Sequence, residues 1–240
     1  MQLTFTSIVS IIIFSCCFSI FLKIMLKNNM LLSRVKYELL FFCLAAPIMR
    51  LIIPIEILPL THNINVPYIL PDIMIWLNRT LLTLGTFEIS IWNAFLTVLF
   101  AISIILTMKT LIDFVRFYQA VQLNEKVEDT NIIQLLEKIL SEKGKKVHIE
   151  IRWTADYSSP CIVGIRKPTI LLPKKEYELE DLEHVFLHEI AHYLHGDLII
   201  NFIWSLIKAF CFWNPAVYLL DKQLRKLLEI RADENVIGKK

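Results

Sequence analysis

Two stretches of this chain, Gln2 to Leu22 and Ile89 to Met108, contain no charged residue. As helices, each is long enough to cross a hydrocarbon layer about 30 Å thick. Composition agrees: 55% of the 240 residues are hydrophobic, where a soluble domain has about 45–50%. The mean hydropathy is +0.55. The excess is concentrated rather than spread. The first run does not read as a cleaved leader, because no basic side chain precedes it, no small-residue cleavage site follows, and Lys23 and Lys27 come after it. A third candidate span falls within Tyr37 to Leu60. Arg50 and Glu56 interrupt it, and Pro47, Pro54 and Pro59 bend or end it. Arg50 either snorkels to the outer interface or makes a polar contact between spans.

Loop charges set an orientation. Lys23, Lys27, Arg34 and Lys36 lie between the first two spans, and Glu38 is the first acid after them. Thr61 to Glu88, by contrast, carries only Arg79, Asp72 and Glu88. Basic loops stay in the cytoplasm, so the amino terminus is expected outside and everything after Met108 begins inside. The net charge of +2 is accounted for by this topology. No basic face with interleaved aromatics points to direct contact with nucleic acid. The five cysteines form no C-x-x-C pair and are odd in number, so they read as small buried hydrophobes. Asn78-Arg79-Thr80 matches the N-glycosylation pattern, which is common by chance.

Between these spans, Val66 to Leu84 is apolar enough to lie in the interface or re-enter the bilayer. Lys109 to Glu128 continues the last span as a helix. Asp129 to Lys143 carries a helical stripe of Ile132, Ile133, Leu135, Leu136, Ile139 and Leu140, with Asp129 as its cap and Gly144 as its stop. Lys146 to Trp153 alternates instead. Val147, Ile149, Ile151 and Trp153 share one face, and His148, Glu150 and Arg152 the solvated one. Cys161 to Ile165 and Thr169 to Leu172 flank the turn Arg166-Lys167-Pro168 as a hairpin, serving either as core sheet or as an edge that pairs with an extended peptide. Leu179 to Asp197 reads as a helix. Leu198 to Leu220 is apolar again and is broken at Asn214-Pro215, so it spans, re-enters or lies on the membrane.

The helix at Leu179 to Asp197 holds His188-Glu189-Ile190-Ala191-His192, an H-E-x-x-H pentad. Histidines four apart share a face, with Cβ atoms about 5–6 Å apart, close enough for one zinc ion. Glu189 lies between them, placed to take a proton from water activated at that metal. Five residues match many chains by chance, so a third ligand decides. His184 and His192 are separated by about 12 Å of helix, too far for one ion to bridge the whole stripe. His195 would have to converge from the next turn. The longer H-E-x-x-H-x-x-G-x-x-H pattern fails, with His at 195 and Leu at 198. The best candidate is Glu229, 37 residues after His192, on a second helix starting near Leu219. Asp233 is on the same face, placed to hold the free N–H of a ligand histidine. The alternative makes Glu229 and Asp233 solvated charges among Lys222, Arg225, Lys226 and Arg231. Asp197 ends the first helix as a supporting residue, with capping of the next segment as the alternative.

These residues resemble those of the integral-membrane zinc metallopeptidases of the BlaR/MecR type, the β-lactam sensor-transducers and their relatives. The likeness runs through Ser159-Pro160, Gly164, Pro168-Thr169-Ile170-Leu171-Leu172-Pro173, the pentad and Asp197. It continues through Phe212-Trp213-Asn214-Pro215 and Glu229-Ile230-Arg231-Ala232-Asp233-Glu234. A weaker likeness to the prenyl-processing and heat-shock membrane metallopeptidases rests on the pentad, Asp197 and the Glu-x-x-x-Asp pair. The resemblance implies Zn2+ held by His188, His192 and Glu229, with Glu189 as the catalytic base. It does not carry antibiotic sensing, because the sensor-transducers have a further span and an extracellular penicillin-binding domain. These residues end at Lys240 with no S-x-x-K-type nucleophile followed by such a domain. A truncated gene, a fragment and a stand-alone member are all compatible with that.

The expectation is therefore a mainly α, multi-span membrane protein with a gluzincin-type α+β metallopeptidase domain and a small sheet on the cytoplasmic side. Residues 1–108 would hold three spans (2–22, 37–60 and 89–108) and an outer loop (61–88). Residues 109–240 would form the zinc peptidase domain with a membrane-associated segment at 198–220. Its partners would be the lipid bilayer and a protein or peptide substrate, such as a repressor or the chain itself. The rival is a membrane signalling module with a structural or non-catalytic zinc site.

Overall fold

Helices dominate the structure, a computed structural model that describes residues 5–27, 37–52, 70–84, 87–144 and 147–237. The chain divides into two compact units, one of Met1–Met108 with Ile207–Leu224 and one of Lys109–Leu206 with Arg225–Lys240. Two described helices, α1 (Phe5–Lys27) and a later one at Ile91–Leu123, are long and apolar enough to cross a membrane. Between them, α2 (Tyr37–Ile52) is 16 residues long and contains Pro47. The rest of the predicted middle span, 53–60 with Glu56, Pro54 and Pro59, lies outside the described residues. So do Arg34, Lys36 and 61–69 of the predicted outer loop.

In the first unit, α1 buries Ser7, Ile11, Ser15, Ser19, Leu22 and Leu26 at intervals of three and four residues. Ile13, Phe14, Ile20, Phe21 and Ile24 face outward. Small serines on the packed stripe let helix backbones approach, and polar contacts within the apolar layer add to the packing. Gln223 Nε2 donates to the Ser19 carbonyl at 2.6 Å, and Ser103 Oγ donates to the Phe210 carbonyl at 2.8 Å. Arg50 donates to Ser10 Oγ at 3.4 Å, an exposed contact between α2 and α1. The described part of the predicted outer loop folds as α3 (Leu70–Leu77) and an antiparallel pair, β1 (Thr80–Leu84) with β2 (Phe87–Ser90). Nothing in the sequence marks that pair, because short Leu- and Thr-rich runs fit helix and strand alike.

The second unit is built on a mixed sheet. The long helix α4 (Ile91–Leu123) leads into α5 (Thr130–Glu142). Asp129 caps α5 by accepting the Asn131 N–H, and Gly144 ends it at φ +63. Strands β3 (Glu150–Thr154), β4 (Cys161–Val163) and β5 (Thr169–Pro173) lie in the order β3-β5-β4. β5 is parallel to β3 and antiparallel to β4. The β4–β5 hairpin is the one expected from its turn. It requires glycine at 164, where φ is +91 and a Cβ would sit 2.4 Å from the Lys167 carbonyl oxygen. Strand β3 starts later than the alternation predicts, and Lys146 lies outside the described residues.

Arg152 corrects the two-face reading of this strand. It is buried, and its guanidinium donates to the Gln122 and Asn124 carbonyls at 2.8 and 2.7 Å and to Glu150 at 2.8 Å. A cation at the end of α4 meets carbonyls that the helix leaves unpaired, so it turns inward despite its polar position in the alternation. The core behind the sheet joins Ile132, Leu136 and Ile139 of α5 to Ile151, Ile170 and Leu172.

Candidate metal centre

The helix α6 (Leu179–Leu194) presses Leu182, Phe186 and Ile190 into that core. These three residues are spaced by four, so they form one stripe. His184, His188 and His192 are each two residues on, about 200° around the helix, and the core stripe turns them away from the sheet. Of the three, His184 is exposed, whereas His188 and His192 meet edge to face with ring centroids 4.7 Å apart. Their Nε2 atoms are 3.1 Å from each other.

Gly196, at φ +73, ends α6 in the left-handed conformation and starts α7 (Asp197–Phe210) at 58° to it. This bend brings Asp197 back against the histidines, and its Oδ2 lies 2.7 Å from His192 Nδ1. A turn after Phe210 leads to α8 (Pro215–Ile237), earlier than the Leu219 start suggested by spacing. Buried Asn214 caps it by accepting the Ala216 N–H at 2.9 Å. The break expected at Asn214-Pro215 is therefore a helix start. In the second unit α8 buries Leu228 and Ala232, which leaves Glu229 and Asp233 on an adjoining face. Glu229 Oε2 lies 3.5 Å from His188 Nε2 and 3.7 Å from His192 Nε2. Asp233 Oδ1 lies 3.3 Å from His188 Nδ1.

Each imidazole thus has a carboxylate at Nδ1 and turns Nε2 to a common point with Glu229. A carboxylate at Nδ1 holds the proton there and leaves the Nε2 lone pair for a metal. His188, His192 and Glu229 offer ligand atoms all within 4.8 Å of one another. Two imidazoles and one carboxylate are a donor set used by catalytic zinc, with a fourth position left for water or substrate.

Glu189 sits on the side of α6 nearer the sheet. Burial pushes its carboxyl above the usual range, against the opposing pull of the Ile162 N–H, which donates to Oε2 at 2.8 Å. That amide belongs to β4, one of the two edge strands of the sheet. No sequence signal marks Ile162 itself; only the hairpin placed upstream of the pentad points to the region. The neighbouring Cys161 thiol is pushed up to about 11, first by burial and then by the Glu189 charge. Only a thiolate alkylates readily. Cys161 should therefore react about a hundredfold more slowly with a maleimide at pH 8 than an ordinary thiol, and faster in Glu189→Gln; mass-spectrometric footprinting measures both.

Arg231, a solvated charge in the alternative reading of α8, turns inward. Its side chain is 13% exposed and is ion-paired with Asp197.

The sequence profile of the BlaR1 peptidase M56 family matches residues 6–240. The chain belongs to that family. Among its relatives, the methicillin resistance mecR1 protein of Staphylococcus aureus is 30% identical over 95 residues, 38% of this chain and 16% of the relative. The Staphylococcus epidermidis protein of the same name gives the same figures. The regulatory protein BlaR1 of Bacillus licheniformis is 33% identical over 81 residues, 33% of this chain and 14% of the relative. The aligned stretch spans about a sixth of these relatives' length. The M56 assignment implies a metal, generally zinc, and the donor set at His188, His192 and Glu229 fits one.

Proposed function

We propose that this M56 protein is an integral-membrane zinc endopeptidase of gluzincin type that cleaves a peptide bond on the cytoplasmic side, with its amino terminus outside. The observation that carries this reading is the convergence of His188, His192 and Glu229 with Glu189 one residue away on the same helix. When bound, zinc supplies Lewis acidity toward water and the scissile carbonyl. Asp233 and Asp197 hold the two imidazoles in one tautomer. Glu189 takes the proton of the attacking water and hands it to the leaving amine. Its burial favours this exchange, because a carboxyl with raised proton affinity holds the proton between the two steps. An extended substrate would add to the outer edge of β4, beside Glu189. Because the relatives are named for resistance and regulation, a regulatory protein such as a repressor, or the chain itself, is the proposed substrate.

Metal analysis tests the reading. The full chain purified in detergent should hold about one zinc. Treatment with 1,10-phenanthroline should stop cleavage and added zinc should restore it. A protein that holds no stoichiometric metal, or that cleaves equally well after chelation, is not this enzyme.

A further inference from the structure

Arg231 stands midway between Glu229 and Asp233 on α8. It reaches inward from the helix that carries the third proposed ligand. Its Nη2 contacts Asp197 Oδ1 and lies 3.5 Å from the His195 carbonyl oxygen at the end of α6. The Asp197 side chain is 2% exposed, and its other oxygen is the one that meets His192 Nδ1. Contacts therefore run from Arg231 to Asp197, on to His192, and so to the centre.

We propose that Arg231 is a positioning residue for the metal centre, holding His192 through Asp197 and fastening α8, with Glu229, to the turn between α6 and α7. This deepens the zinc-peptidase reading and rests on it. A carboxylate withdrawn from water is stable only when its oxygens have partners. The His192 N–H serves one oxygen of Asp197 and Arg231 serves the other. Without the guanidinium, Asp197 is left with an unmatched oxygen, and the lowest-energy response is to rotate toward another donor. His192 then loses the acceptor that fixes its ring and keeps the Nε2 lone pair facing inward. The His195 carbonyl gives the guanidinium a second anchor. That carbonyl lies in the last turn of α6, where a cation is favoured. Both contacts are made by Nη2, which lies one bond farther along its side chain than a lysine ammonium, so lysine at this position holds them less well.

The test uses the full chain in detergent, with the Glu189→Gln background to prevent self-cleavage. Zinc affinity is read by competition with a chromophoric chelator, and site geometry by the visible spectrum of the cobalt-substituted protein. Arg231→Gln should weaken zinc binding about tenfold or more, the scale of outer-shell changes at metal sites, and alter the cobalt spectrum. Asp197→Asn should do the same, and the double variant should be little worse than Asp197→Asn alone, since both act on one contact. A role confined to holding the fold would lower the melting temperature and leave affinity and spectrum unchanged, and that result overturns the proposal. So do losses that simply add. Should Arg231→Gln not fold, Arg231→Lys decides: a several-fold loss of affinity at an unchanged melting temperature supports the assignment, and wild-type affinity overturns it. If the parent protein holds no zinc, the peptidase reading falls and this assignment with it.

Discussion

Glu189→Gln is expected to stop peptide-bond cleavage while the metal stays bound. The substitution keeps the shape of the side chain and an oxygen able to accept the Ile162 N–H, which now donates to Glu189 Oε2 at 2.8 Å. The tie between α6 and β4 should survive, and none of the three proposed ligands is touched. What is lost is the ability to take up and release a proton. General acid–base catalysis by one positioned group contributes roughly 10²–10⁴-fold. In the proposed mechanism one carboxylate serves both proton transfers, so a loss of about a thousandfold or more is expected. Two readouts on the same preparation check it: cleavage of a partner or of the chain itself by mass spectrometry, and zinc content by elemental analysis. Cleavage at the parent rate with zinc retained would remove Glu189 from the chemistry and leave the signalling-scaffold alternative standing.

Much of this site is legible before any coordinates, and the reason is periodicity. A four-residue spacing on one helix fixes which side chains share a face. The core stripe Leu182, Phe186 and Ile190 then dictates that His188 and His192 point elsewhere. The same logic places Asp233 beside Glu229, and a cap and a stop bracket α5. What periodicity cannot supply is the partner of a charge. Arg152 and Arg231 both sit at positions where a cation is ordinarily solvated, and both turn inward. Their partners are the carbonyls at the end of α4 and the carboxylate of Asp197, which are distant in sequence and adjacent only once the chain is folded. The Ile162 amide is invisible for a different reason. Every residue carries such a group, and only strand order decides which ones face an open edge. The β1–β2 pair is hidden in the sequence because its strands are too short for alternation to outvote a helical reading.

The other large effect is expected at Glu229. It is the least secure member of the donor set from sequence alone, since it belongs to a helix bristling with Lys222, Arg225 and Lys226. Its side chain is 60% exposed, so Glu229→Ala should change the stability of the metal-free protein by no more than about 0.5 kcal/mol. The hold of α8 on the second unit comes from buried Leu228 and Ala232, which the substitution leaves alone. Zinc affinity should nevertheless fall by more than the 10- to 100-fold typical of outer-shell changes, because a direct donor is gone and two imidazoles remain. Cleavage should fall with it. Among the described side chains of α8, Asp233 is the nearby carboxylate that could substitute, but it lies against His188 Nδ1, the side of the ring opposite the shared point. Moving it to the centre would strip His188 of the contact that orients it. Full zinc occupancy at parent affinity in Glu229→Ala would therefore mean that the third donor lies elsewhere, and that α8 closes the site without coordinating its metal.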